Sequence, residues 1–123
     1  MQVLCGTDII EISRIKTAIQ NEKYDFIQRI FTEKEIQYCE SKNESKYEHY
    51  AARFAAKEAI FKAISQLLNN KYDIGWKNIE ISNTEDLKPI VNFVDFKLEG
   101  INNIDVSISH CKEYAVAMVT VTI

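Results

Sequence analysis

Three short stretches carry the residues that could do chemistry: GTDIIEISRI (Gly6 to Ile15), RFAAKEAIFKA (Arg53 to Ala63) and VSISH (Val106 to His110). Asp8 and Glu58 fall on separate elements, with Lys57 and Lys62 close by. That set fits a hard cation such as Mg²⁺, which takes one or two carboxylates and completes its shell with phosphate oxygens and water. The lysines would then hold phosphate oxygens. Each stretch also has a plainer reading. Glu58 and Lys62, four apart on a helix, suit a surface ion pair worth about 0.2–0.5 kcal/mol. Asp8, where a strand meets a helix start, suits a carboxylate favoured by the helix dipole. His110 suits a hydrogen-bonded residue at a strand end.

The elements that must position these groups follow from periodicity. Val3 to Cys5 reads as a strand ending in a turn at Gly6. Ile12, Ile15 and Ile19 mark an amphipathic helix, and Phe26, Ile27 and Ile30 a second short one. TEKE, Thr32 to Glu35, matches a capping box, so a helix starts there and runs through Tyr38. Glu40 to Lys46 has no apolar period and reads as a loop. The main helix is expected from about Tyr47 to Leu68. At about 100° per residue, Ala56, Ile60, Ala63, Ile64 and Leu67 form its core stripe, with Glu58 and Lys62 nearly opposite. Arg53 and Lys57 fall close to that stripe, where a charge is costly unless paired. Either their stems snorkel to the rim, or the helix borders a charged ligand or another subunit.

After Leu68 the chain favours β-structure: Ile79 to Ser82, then Ile90 to Val94 following the only proline, Pro89, then Asp105 to His110 and Tyr114 to Thr122, the last two a hairpin around Cys111 to Glu113. A strand, then helices, then a run of strands predicts an α+β domain with an antiparallel sheet packed against a long central helix plus shorter helices. At 123 residues one domain, 1–123, is expected. The net charge of −3 argues against a generally basic nucleic-acid binder. Three scattered cysteines with no CxxC pair suggest neither disulfides nor zinc, and read as reduced core residues. No basic leader and no apolar run near the ~20 residues of a membrane span is present, so a cytoplasmic protein is expected.

Taken together and in this order, the three stretches resemble the holo-[acyl-carrier-protein] synthase family, the small stand-alone type of 4′-phosphopantetheinyl transferase. GTDIIEISRI resembles its Gly-x-Asp-x-x-Glu-x-x-Arg opening, RFAAKEAIFKA its Lys-Glu-Ala-x-x-Lys helix, SISH its C-terminal motif and WKNIEI one of its strands. The resemblance covers almost the whole chain. It implies the 4′-phosphopantetheinyl transferase fold and transfer of the 4′-phosphopantetheine arm from coenzyme A to a serine of apo acyl carrier protein, for fatty acid biosynthesis. By matching position it implies Asp8 and Glu58 as Mg²⁺ ligands and Lys62 as a pyrophosphate contact. Arg53 and His110 would approach the 3′-phosphate of coenzyme A, with Lys57 supporting the same charged region. It also implies a homotrimer with active sites between subunits, in which Arg53 reaches a ligand on the next protomer.

The first helix would face the acidic carrier. From Ser13 to Arg29, four cations (Arg14, Lys16, Lys23, Arg29) less two anions (Glu22, Asp25) leave an excess of two positive charges, with Arg14 the docking candidate. The chain departs from the family after the central helix. Where a Gly-Thr-Gly turn is usual it reads ISQLLNN, leaving Ser65 or Gln66 to substitute. Two alternatives remain: a transferase serving other carriers, and a non-catalytic nucleotide-binding module of the same fold.

Overall fold

The computed structural model describes residues 1–123. Five strands, β1 (Val3–Glu11), β2 (Ile79–Asn83), β3 (Pro89–Phe93), β4 (Asn103–His110) and β5 (Tyr114–Thr122), accompany four helices, α1 (Ile12–Glu22), α2 (Tyr24–Ile30), α3 (Glu33–Glu40) and α4 (Lys46–Ile64). The strands form two antiparallel sheets rather than one. The larger has the order β1-β5-β4, and β2 pairs only with β3. No helix is long and apolar enough to cross a membrane.

The N-terminal strand is the main departure from expectation. β1 does not stop at Gly6 but continues to Glu11, paired with β5 throughout. Asp8 is therefore a mid-strand residue and not a helix N-terminal carboxylate; α1 begins only at Ile12. Gly6 is needed here for space, not for a turn. A Cβ at this position would collide with the Ala59 carbonyl oxygen and stand 3.0 Å from the Ala63 nitrogen. Gly6 and the two alanines thus let β1 lie against the α4 backbone, and strand alternation puts Asp8 on that same inward face.

Helix α4 is buried on nearly every side. Ala55, Ala56, Ala59, Ile60, Ala63 and Ile64 pack with Leu4, Val119 and Val121 in one core. Tyr50, Ala51 and Ala52 pack with α1, α2 and α3 in a second. The expected stripe is inside except for Leu67, which lies in a 3₁₀ turn (Ser65–Leu67) past the helix end and is half-buried. The capping box forms as read: Thr32 Oγ1 accepts from Glu35 N, and Glu35 Oε1 accepts from Thr32 N at 2.9 Å. Of the cysteines only Cys39 is a core residue, its thiol pushed up to about 12 by burial; Cys5 and Cys111 are exposed.

Candidate active site

Because β1 lies against α4, Asp8 comes near enough to Glu58 for its charge to be felt there. Lys62, one turn beyond Glu58, turns to the strand. Its Nζ donates to Asp8 Oδ1 and to the Thr7 carbonyl, both at 3.0 Å. The expected Glu58–Lys62 surface pair is therefore replaced by an Asp8–Lys62 ion pair between elements. Glu58 is left half-buried and without an ion-pair partner. Burial pushes its carboxyl above the ordinary value, the Asp8 charge adds to the rise, and Lys62 opposes it. A half-buried carboxylate made costlier by a neighbouring carboxylate, with one lysine beside them, describes a site short of positive charge.

Next to Glu58 a cavity of about 210 Å³ opens between α4 and the segment leading to β2. Phe61, Ile74, Trp76 and Ile79 form its apolar walls, and Lys71 stands at its edge. Ser65 and Gln66 do not line it. Ser65 Oγ instead donates to the Lys62 carbonyl at 3.1 Å.

Lys57 is not available to a ligand phosphate. Its side chain is fully buried, with Nζ 2.7 Å from Glu35 Oε1 and donating to the carbonyls of Ile30 (3.0 Å), Trp76 (3.0 Å) and Ile79 (2.6 Å). Burial draws the ammonium below its ordinary value, and Glu35 counters that. Four oxygens around one nitrogen leave no direction for a lone pair, so the group is an ammonium spent on holding α4 to α2, α3 and β2. The assignment of Lys57 to the coenzyme region is corrected accordingly.

Arg53 is buried against its own chain. It is 4% exposed, with its guanidinium 4.0 Å from the Tyr38 ring centre. In the amide orientation that satisfies both donors, the Asn83 oxygen accepts from Arg53 Nη2 at 3.2 Å and from the Tyr38 hydroxyl at 3.1 Å. Its Nε has no partner, and none of the chain's six ion pairs includes it. His110, at the end of β4, is exposed, with Nδ1 3.7 Å from Glu48 Oε2. Asp8 pairs with Ala117 and His110 with Ala115, so the two lie on opposite flanks of β5. Two strand spacings across and two residues along the sheet, their Cα atoms are about 12 Å apart. Arg14 is exposed on α1.

Residues 4–119 match the 4′-phosphopantetheinyl transferase superfamily. The chain belongs to that superfamily. The holo-[acyl-carrier-protein] synthase of Ruminiclostridium cellulolyticum is 43% identical over 128 residues, an alignment covering 100% of this chain and 94% of the relative. Among solved structures, the Bacillus anthracis holo-(acyl-carrier-protein) synthase in complex with CoA (3′,5′-ADP) is 34% identical, with a TM-score of 0.77 over 96% of this chain and 94% of that one. The Neisseria meningitidis holo-[acyl-carrier-protein] synthase, 26% identical, gives a TM-score of 0.84 over 97% of each chain.

In this phosphopantetheinyl transferase, sequence reasoning missed Lys71 and the apolar cavity walls, which come from a turn-rich segment with no period. It also missed Glu35 as the partner of Lys57, and His49, whose ring meets that of His110 edge-on with centroids 5.8 Å apart. Only the second had a local signal, since Glu35 was already marked by its capping box.

Proposed function

We propose that this protein transfers the 4′-phosphopantetheine arm of coenzyme A to a serine hydroxyl of an apo acyl carrier protein, releasing adenosine 3′,5′-bisphosphate. The observation that carries this reading is the convergence of Asp8, Glu58 and Lys62 from β1 and α4 in a superfamily member. The serine oxygen bonds to the β-phosphorus as its proton passes to a carboxylate or a water, while the bond from that phosphorus to the bridging oxygen breaks and adenosine 3′,5′-bisphosphate leaves with the electron pair.

No cluster of three or more His, Cys, Asp or Glu side chains forms a self-sufficient metal cage. A two-carboxylate site is what Mg²⁺ uses when phosphates and waters supply the rest, and the raised Glu58 carboxyl beside Asp8 fits a cation. Asp8 and Glu58 would hold it. When bound, the ion supplies positive charge to the pyrophosphate oxygens in the transition state. Lys62 Nζ spends two of its donors on Asp8 and Thr7 and is half-exposed, which leaves a third N–H for a pyrophosphate oxygen. Arg53 and His110 are assigned to the coenzyme's 3′-phosphate, because a buried guanidinium without a carboxylate is matched by an anion from outside the chain.

The outer face of the larger sheet supports the homotrimer. α4 covers one face only. On the other, Ile9 is 64%, Met118 53% and Tyr114 44% exposed, and Ile9 pairs directly with the exposed Val116. A contiguous apolar sheet face of this kind is an association surface. Sedimentation is expected to give three times the chain mass, and a monomer across micromolar concentrations would remove the trimer. This reading implies the cytoplasm, the compartment of coenzyme A.

For the carrier, Arg14 is exposed and takes part in no ion pair, whereas Arg29 lies 3.6 Å from Glu22. Arg14→Glu is expected to raise the carrier's KM by roughly tenfold and coenzyme A's little, with weaker salt dependence. Equal effects on both substrates would exclude docking. The whole reading is tested by incubating purified protein with Mg²⁺, coenzyme A and apo carrier, then weighing the carrier by mass spectrometry. A carrier that gains no arm-sized mass overturns it.

A further inference from the structure

We propose that His49 is a third ligand of the 3′-phosphate site, donating from its imidazole to the same terminal phosphate monoester of coenzyme A as Arg53 and His110. The inference rests on the assignment of those two residues above and extends it to a side chain that no motif marks. His49 and Arg53 are four residues apart on α4, so they project from neighbouring turns of one face. Tyr38 lies between them. Arg53 stacks on its ring at 4.0 Å, and His49 meets the same ring edge-on at 5.5 Å. On its other side the His49 ring meets His110 edge-on, with centroids 5.8 Å apart. Guanidinium, His49 and His110 therefore run as a continuous row from the interior to the surface.

The charge around this row is unbalanced. Arg53, Lys42 and His110 face His49 as actual or potential cations, and Glu48 is the one carboxylate facing it. Arg53 is nine-tenths buried with Nε unpartnered, a cost that a bound anion would offset. Burial, followed by the Arg53 charge, holds His49 below its ordinary value. At neutral pH the ring is thus an uncharged single donor, at little cost while the site is empty. A phosphate monoester brings close to two negative charges and three strong acceptor oxygens, one for each member of the row. A diester has neither the second charge nor the third free oxygen, so the row selects the coenzyme's terminal phosphate over its pyrophosphate.

The test compares coenzyme A with 3′-dephospho-coenzyme A. His49→Phe keeps an aromatic ring for Tyr38 and removes the donor. The preference for coenzyme A in kcat/KM is expected to fall about tenfold, as for loss of a hydrogen bond to a charged group. The loss should fall on coenzyme A rather than on its dephospho form, and His49→Gln should restore part of it. An unchanged preference in His49→Phe beside a collapsed preference in His110→Phe overturns the role of His49 alone. An unchanged preference in both overturns the phosphate site itself. An equal loss on both coenzymes makes His49 a packing residue and also overturns the inference.

A second measurement needs no variant. The chain has only two histidines, so ring NMR titration of the unaltered protein resolves both. Adenosine 3′,5′-bisphosphate is expected to raise the pKa of both rings, and adenosine, which has no phosphate, that of neither. A rise at His110 alone overturns the proposal.

Discussion

Glu35→Ala is expected to destabilise the protein by about 3–5 kcal/mol, the range for orphaning one member of a buried ion pair. Both side chains of the Glu35–Lys57 pair have no exposed surface. Removing the carboxylate leaves the Lys57 ammonium with three carbonyls and no directly paired counter-charge, only the weaker influence of the buried Glu80. It also removes the acceptors of two backbone donors, Thr32 N at 2.9 Å and Ile81 N at 2.8 Å. Thr32 loses its reciprocal cap but keeps its own bond to Glu80 at 2.6 Å, so the loss centres on α4 and β2. Lys57→Met should cost a similar amount, because it leaves the carboxylate buried. The double variant Glu35→Leu/Lys57→Met should recover much of the loss, since replacing both ions by apolar groups avoids an unpaired charge. Denaturant midpoints check this. Additive losses, or less than about 1 kcal/mol for either single variant, would show that the pair does not hold α4.

The same residues show which parts of the fold were legible in the sequence. Thr32 and Glu35 announced their helix start because a capping box is local, closed within four residues. The second task of Glu35 was invisible, since Lys57 and Ile81 reach it from 22 and 46 positions away. Lys57 beside an apolar stripe was correctly marked as a charge in need of a partner, but nothing local could say whether that partner was a ligand or the protein. Gly6 misled for a related reason. A glycine followed by Thr-Asp carries the signal of a strand end, and only the close approach of Ala59 explains why the strand continues through it. The wheel likewise assumed one buried face for α4, whereas its alanines let two cores close around it. The chemistry-bearing residues were easier to find than their roles, because residue type and spacing are local while Asp8's neighbour Lys62 is set by packing.

That packing also separates the last two expected outcomes. Glu58→Gln is isosteric and removes one charge. Turnover should fall on the order of a hundredfold or more, the scale for losing one preorganised electrostatic contact. Stability should not fall with it. The folded-state carboxyl of Glu58 is raised above its unfolded value by burial and by Asp8, so the folded protein binds this proton more tightly than the unfolded chain. The group's contribution is most favourable below its unfolded value and is lost as pH rises through the raised folded value. At neutral pH the charge is therefore a strain, and Gln relieves it. Melting temperature without Mg²⁺ should be unchanged or higher in Glu58→Gln at pH 7, with the gain shrinking toward pH 4 as the native glutamate takes up its proton. Gly6→Ala should behave in the opposite way. Its new methyl meets the Ala59 carbonyl, forcing β1 off α4 at a cost of about 1–3 kcal/mol and carrying Asp8 away from Glu58. One variant would lose activity while keeping stability, and the other would lose both. A Glu58→Gln protein that melts lower than the parent at pH 7 would mean that Glu58 supports the fold, and the case for a site held ready for a cation would fail with it.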